Sequence, residues 1–86
     1  MGGDRFVYVT APDCHLCEHG RAIVVGLLAA EKGFAVEEVA WDSERGTALI
    51  ERDGVPFPPA LYLGDALLAY GRMSERRLRK LLKVAA

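Results

Sequence analysis

This chain contains few cysteines and has no excess of positive charge, and each of these two features argues against a class of protein. Two cysteines in 86 residues exclude the disulfide-dense scaffolds of small secreted proteins, because those scaffolds need several bridges between distant segments. Lys and Arg number 11 against 12 Asp and Glu, which leaves a net charge of −1. The overall charge therefore gives no indication of nucleic-acid or anionic-membrane binding.

The chain also lacks a long apolar segment. Its longest nearly apolar run, Ala22–Ala30, is closed by Arg21 and Glu31 and spans about 14 Å as a helix, less than half of the ~30 Å bilayer core. Met1–Arg5 does not form a basic start to an apolar stretch, so we expect no secretory signal and a reducing, cytoplasmic location. With 51% hydrophobic and 27% charged residues, the composition is typical of one globular domain over residues 1–86.

Strand and helix patterns alternate along the chain. Segments rich in β-branched and aromatic residues, or bounded by turn residues, predict strands at Arg5–Thr10, Ala35–Trp41, Ala60–Leu63 and Ala66–Tyr70. The spacing of apolar residues predicts helices from Cys14 to about Lys32, from Asp42 or Ser43 to about Arg52, and onward from Ser74. Gly64-Asp65 predicts a tight turn that joins the last two strands as a hairpin.

The resulting order of elements, β-α-β-α-β-β-α, predicts an α/β domain. The first β-α-β unit makes a parallel strand pair with a right-handed crossover, and the final hairpin adds antiparallel strands. We therefore expect a mixed four-stranded sheet flanked by helices.

The first helix is expected to begin after Pro12, with Asp13 as its N-cap. Its buried face is expected to carry the apolar residues that recur at helical spacing, namely Leu16, Ile23, Leu27 and Ala30, with Val24 and Leu28 beside them. Gly33 is expected to end the helix.

The last helix combines an apolar face with a strongly basic remainder. The expected apolar face comprises Leu78, Leu81, Leu82 and Ala85. The basic residues of this segment are Arg72, Arg76, Arg77, Arg79, Lys80 and Lys83. We expect them to form the solvated back of the helix, and the alternative is a patch that binds phosphate or an acidic partner.

Cys14 and Cys17 are the only cysteines, spaced C-x-x-C. A disulfide that closes so small a ring is a poor staple, contributing about 2 kcal/mol by loop entropy. Zinc needs four ligands, usually as two separated pairs, and the other candidates, His15 and His19, lie in the same short stretch. We therefore expect no metal and interpret the pair as a reactive dithiol. Zinc binding, or two reduced cysteines without chemistry, are the alternatives.

The position of the pair at a helix start predicts different roles for its members. A thiolate, not a thiol, attacks a disulfide, and a helix N-terminus lowers the pKa of a cysteine placed there. Cys14 is at that position, while Cys17 is one turn further in, on the same face and more buried. We therefore expect Cys14 to attack and Cys17 to resolve the mixed disulfide. His15 either favours the Cys14 thiolate through partial positive charge or faces solvent.

A strand followed by Thr10-Ala11-Pro12-Asp13-Cys14-His15-Leu16-Cys17 and a helix resembles the active-site unit of the thioredoxin fold. Gly54-Val55-Pro56-Phe57-Pro58-Pro59-Ala60-Leu61 is similar to the segment of that family that leads to a cis-proline before the third strand. The chain length, the ββα ending and Gly71 resemble the glutaredoxin-like branch, and the Cys-His-Leu-Cys-Glu stretch resembles its small bacterial members.

The resemblance implies a thiol–disulfide oxidoreductase that needs no cofactor. Such a protein acts on protein or small-molecule disulfides and is reduced again by an external thiol, and we expect it to be a monomer. A thioredoxin-fold binding module with non-catalytic cysteines is the alternative.

The resemblance also implies substrate-binding positions at Pro58 and Pro59. His15, which follows Cys14 directly, is a further candidate for substrate binding. In this family the cis-proline faces the nucleophile, and the residue before it pairs its backbone with the substrate. Placing Pro59 first puts Leu61 and Leu63 on one face of the strand, a sound core pattern, so Pro59 is the expected cis-proline and Pro58 the alternative. Pro58 has no N–H and can accept one hydrogen bond but donate none.

Two departures from the family pattern predict weak dependence on glutathione. Glutaredoxins that use glutathione carry a lysine where this chain has Ala11. They also carry a Gly-Gly-x-Asp stretch where this chain has Tyr70-Gly71-Arg72-Met73-Ser74. Groups that would bind the glutathione carboxylates are therefore missing, although Arg72 supplies a charge at a different position.

Overall fold

The computed structural model describes residues 5–85, with the backbone alone for Val84 and Ala85. It shows a mixed four-stranded sheet with helices packed on it. The strands are β1 (Arg5–Thr10), β2 (Ala35–Ala40), β3 (Ala60–Leu63) and β4 (Ala66–Tyr70). The helices are α1 (His15–Val24), which continues as a π-helical segment (Val25–Glu31), α2 (Glu44–Asp53) and α3 (Glu75–Ala85). The predicted order of elements and the α/β class are confirmed. Residues 1–4, which belong to the segment used to predict that there is no secretory signal, lie outside the described part. The side chain of Ala85 lies outside it as well.

The strand order β2-β1-β3-β4 brings several chain segments to one end of the sheet. Strand β1 is parallel to β2, with Thr10 opposite Ala40. Strand β3 is antiparallel to both β1 and β4, with Ala60 opposite Val9 on one side and Tyr70 on the other. The end of β1, the start of β3 and the end of β4 therefore meet at the same edge. Helices α1 and α3, which follow β1 and β4, both begin there.

Strand β1 is buried on both faces, which explains its continuous apolar sequence. Phe6 and Tyr8 face a core layer shared with α1 and α3, and Val7 and Val9 face a layer shared with α2. The same alternation continues in β3: Leu61 and Leu63 belong to the first layer, and Ala60 and Tyr62 to the second. This confirms the predicted alternation of β3.

The buried face of the first helix differs from the prediction at two positions. Leu16 is 36% exposed and Ala30 is also exposed. The residues that are buried are Cys17, Gly20, Val24, Leu27 and Leu28. Leu16 is one residue away from the buried Cys17, and one residue turns the side chain about 100° around a helix. Ala30 lies in the π-helical segment, whose wider turn breaks the α-helical spacing. Within residues 5–85, no helix is both long and apolar enough to cross a bilayer.

Candidate active site

The turn after β1 sets the backbone of the cysteine pair. Asp13 has a left-handed backbone, with φ of 53°, a conformation that Asp tolerates better than most residues. Cys14 follows in an extended conformation, with φ −119° and ψ 105°, and is the N-cap of α1. The prediction that Asp13 caps the helix is therefore wrong. An N-cap needs the extended backbone that Cys14 has, and the Cys14 Sγ accepts a hydrogen bond from the Cys17 N–H at 3.1 Å.

Cys14 and Cys17 are joined as a disulfide, with their Cα atoms 5.2 Å apart. Cys17 is fully buried, whereas Cys14 is partly exposed. The predicted difference in burial and the predicted common face of the helix are both confirmed. Solvent therefore reaches part of Cys14 but none of Cys17.

The histidines beside the pair lie on the outside of α1. His15 and His19 are both exposed. Among the side chains that the structure describes, no three His, Cys, Asp or Glu residues come together as a metal-binding group. The arrangement at the start of α1 therefore consists of a sulfur pair with solvent-facing imidazoles around it.

The two prolines before β3 lie at the sheet end where β1 leads into Cys14. The peptide bond between Pro58 and Pro59 is cis, which agrees with the prediction that Pro59 is the cis-proline. Pro59 is buried, Pro58 is half-buried, and the Pro59 carbonyl accepts the Gly71 N–H at 2.7 Å. Because Ala60 pairs with Val9, Pro59 adjoins the end of β1. The fold thus brings Pro58 and Pro59 to the edge of the sheet that carries the cysteine pair.

Tyr8 and Gly20 lie against the helical turn that carries Cys17, and the sequence analysis identified neither. The Tyr8 hydroxyl donates a hydrogen bond of 2.9 Å to the Cys17 carbonyl oxygen. A Cβ on Gly20 would overlap this hydroxyl. Burial raises the pKa of Tyr8 to about 12, partly offset by Arg21. A tyrosine in the middle of an apolar strand is the sequence feature that indicates such a contact. A buried hydroxyl requires a hydrogen-bond partner.

Three polar side chains join α1 and the end of β1 to the edge strand β2. The buried Thr10 hydroxyl donates to Glu38 Oε2 at 2.8 Å, and Arg21 contacts both Glu38 carboxylate oxygens at 2.9 and 2.7 Å. These bonds, chiefly the one from Arg21, hold the pKa of Glu38 below its ordinary value. Arg21 lies one helical turn after Cys17, so the cluster fixes α1 just beyond the cysteine pair. The sequence gives no local indication that the partner of Arg21 lies in β2, 17 positions further along the chain.

An exposed aromatic pair stands at the same sheet end. Phe57 and Tyr70 are 48% and 42% exposed, and their rings meet edge to face with centroids 5.9 Å apart. The Phe57 ring also lies against Gly71, where an added Cβ would be 3.0 Å from it. Gly71 has φ of 77°, a conformation that favours glycine. The prolines, Gly71 and the aromatic pair therefore lie together at this end of the sheet, with Phe57 and Tyr70 exposed over the buried Gly71.

No model of a known protein family matches the chain, and no curated protein matches its sequence.

Proposed function

We propose that the protein is a thiol–disulfide oxidoreductase with a thioredoxin-like fold of the glutaredoxin-like type. The observation that carries the proposal is the disulfide between a partly exposed N-cap cysteine, Cys14, and a fully buried Cys17 one turn into the helix. The element order, the mixed sheet and the cis Pro58–Pro59 bond at the same sheet end support the fold assignment.

The first step is attack on a substrate disulfide by the Cys14 thiolate. A bond forms between the Cys14 sulfur and one substrate sulfur, the substrate S–S bond breaks, and the other substrate sulfur leaves as a thiolate that takes up a proton. We assign this step to Cys14 because Cys14 is partly exposed, whereas Cys17 is fully buried. The product is a mixed disulfide on Cys14.

The second step releases the reduced substrate. Cys17 loses its proton and attacks the Cys14 sulfur, the mixed disulfide breaks, and the second substrate thiolate leaves and is protonated. The substrate disulfide has then gained two electrons, and the Cys14–Cys17 disulfide seen in the structure has formed. An external thiol or a reductase returns the two electrons to the pair.

The N-cap position supports the reactivity of Cys14. Its sulfur accepts a hydrogen bond from the Cys17 N–H, one of the donors at a helix start that have no partner within the helix. A thiolate gains more from such a bond than a neutral thiol does, because charge strengthens the hydrogen bond. The helix start also carries partial positive charge. Both effects favour the thiolate that the first step needs.

Alkylation of the reduced protein tests the proposal. Iodoacetamide labelling of Cys14, followed by mass spectrometry from pH 5 to 9, should be fast already at pH 6. The reduced protein should also reduce a small uncharged disulfide such as hydroxyethyl disulfide. Slow labelling that rises only near the ordinary cysteine pKa of about 8.5, with no disulfide reduction, would instead indicate a binding module with a non-catalytic cysteine pair.

A further inference from the structure

The cations without an ion pair are concentrated at the start of α3. Five arginines form ion pairs with carboxylates, and they are spread over the whole molecule: Arg5, Arg21, Arg45, Arg52 and Arg79. The other three have no carboxylate within 4 Å among the described side chains, and all three lie within six residues: Arg72, Arg76 and Arg77. Lys80, one turn further along, is also unpaired in the described part. We call these four residues the α3 basic surface.

The α3 basic surface is exposed and partly concave. All four of its cations are solvent-exposed. Ser74, Arg76, Arg77 and Lys80 line an open depression of about 210 Å³. The Ser74 hydroxyl is already used, because it accepts the Arg77 N–H at 3.1 Å and caps the helix. The depression is therefore bordered by positive charge that no other group of the described chain uses.

The expectation that these residues are only the solvated back of an amphipathic helix explains their exposure but not their charge. Arg76 and Lys80 are four residues apart on a helix, where like charges repel and cost a few tenths of a kcal/mol. Glu75 is the one acidic residue of α3, and it is bound by Arg79. Among the side chains that the structure describes, no carboxylate supplies a counter-charge to this surface, and an acidic partner would supply one.

The position of the α3 basic surface ties it to the cysteine pair. Helices α1 and α3 are in contact, and both begin at the sheet end where Cys14 lies. The segment between β4 and α3 adjoins the prolines through the bond from Gly71 to Pro59. Arg72 follows Gly71 directly. A chain whose disulfide reaches Cys14 can therefore also cover the start of α3.

On the basis of the proposed function, we infer that the substrate is an acidic polypeptide, whose carboxylates dock on the α3 basic surface while its disulfide meets Cys14. A polypeptide fits better than a nucleic acid, because a thiol–disulfide site needs a substrate that carries sulfur. The net charge of −1 also confines attraction to this local surface.

Two matched disulfide peptides test the inference. Both have the same residues next to the cystine, and one carries four flanking Glu where the other carries four Gln. The ratio of their kcat/KM values should favour the acidic peptide by about tenfold at low ionic strength. The ratio should approach one at about 0.5 M salt, where exposed charges are screened.

Charge reversal at one position locates the effect. Arg77→Glu should reduce the ratio at least threefold. The variant should fold, because Ser74 followed by Glu three residues later forms a capping box. Lys32→Glu is the matched control: Lys32 is exposed and follows the π-helical segment, at the far end from Cys14, and the net charge changes by the same amount. Its ratio should equal that of the unmodified protein.

Three results would overturn the inference. One is equal reduction of both peptides at low salt, and a second is an equal loss of preference in both variants, which would indicate net charge and not a surface. The third is competition by a short oligonucleotide but not by a sulfur-free acidic peptide. In each case, reduction of the small uncharged disulfide leaves the proposed function standing. If neither that compound nor either peptide is reduced, the proposed function fails as well.

Discussion

Tyr8 donates a 2.9 Å hydrogen bond to the backbone carbonyl of Cys17, and the residue is only 1% exposed. The buried centre of the sheet is thereby connected directly to the helical turn that carries the cysteine pair. Gly20 makes the approach possible, because any larger residue would place a Cβ against the Tyr8 hydroxyl. The geometry of the cysteine pair therefore depends on a strand residue and a helix glycine that lie outside the pair.

Tyr8→Phe should destabilise the protein by about 1 kcal/mol, because it leaves the Cys17 carbonyl without its buried partner. Tyr62→Phe is the matched control. Tyr62 is 0% exposed, and its hydroxyl has no hydrogen-bond partner among the described residues. Removing an unpaired buried hydroxyl should be neutral or stabilising. Urea unfolding of both variants checks this, and an equal loss in the two would show that the Tyr8 bond contributes nothing.

Stability should fall as the pH rises from 10 to about 12. Burial raises the pKa of Tyr8 and of Tyr62 from 10.0 to about 12, and Asp53 adds to the increase at Tyr62 without forming a well-aligned hydrogen bond. In this window the unfolded chain releases the phenolic protons and the folded chain keeps them, so alkali favours unfolding. Denaturant unfolding at several pH values measures the decline. Each Tyr→Phe variant should make it shallower, and a flat profile in the unmodified protein would contradict the expectation.

Gly20→Ala should cost about 1–3 kcal/mol, because the added methyl meets the Tyr8 hydroxyl and the Met73 side chain. Gly26→Ala, in the π-helical segment, is the control: nothing lies within 4 Å of its added Cβ. That substitution should be neutral or stabilise by up to about 1 kcal/mol. Thermal unfolding separates the two variants. Similar melting temperatures would show that α1 can move away from β1 at no cost.

The two cysteines should give different products when each is replaced. Cys14→Ser should reduce disulfide exchange to the uncatalysed rate. Cys17→Ser should still attack and should accumulate a mixed disulfide on Cys14, because the resolving sulfur is gone. Intact-mass measurement after addition of a substrate disulfide distinguishes these outcomes. If Cys14→Ser is the variant that traps the mixed disulfide, the two roles are reversed.

Reduction of glutathione mixed disulfides by glutathione should be slow. Ala11 provides no cation at its position, so Ala11→Lys should raise kcat/KM for glutathione, by at most about fivefold, as expected for an exposed ion pair. Ala11→Gln controls for side-chain length. Fast turnover by the unmodified protein, or an equal gain in both variants, would show that the missing charge is not limiting.

The sequence predicted the bounds of β1, β3 and β4 to the residue, because alternation and turn residues are local signals. It also predicted the different burial of Cys14 and Cys17, which follows from one turn of helix. The N-cap was predicted one residue too early, because Asp is common both at N-caps and in the left-handed conformation that Asp13 adopts, and residue type alone does not distinguish the two.

Contacts across the sequence could not be predicted in the same way. Arg21 and Glu38 are 17 positions apart, and the partner of the Tyr8 hydroxyl is a backbone carbonyl on another element. The three arginines at the start of α3 differ from the other five only in having no carboxylate partner in the described structure, and this difference depends on contacts between distant parts of the chain. A count of charges along the chain contains no information about which of them are neutralised.

The central position of β1 in the sheet determines the order in which parts of the protein unfold. Its hydrogen bonds to β2 and β3 are covered by core layers on both faces, so they open only when most of the structure opens. The edge strands β2 and β4 can fray separately while β1 stays in place. The cysteine pair follows β1 after a turn of three residues and is hydrogen-bonded to it through Tyr8. Fraying of the edge strands should therefore leave the conformation of the Cys14–Cys17 turn unchanged.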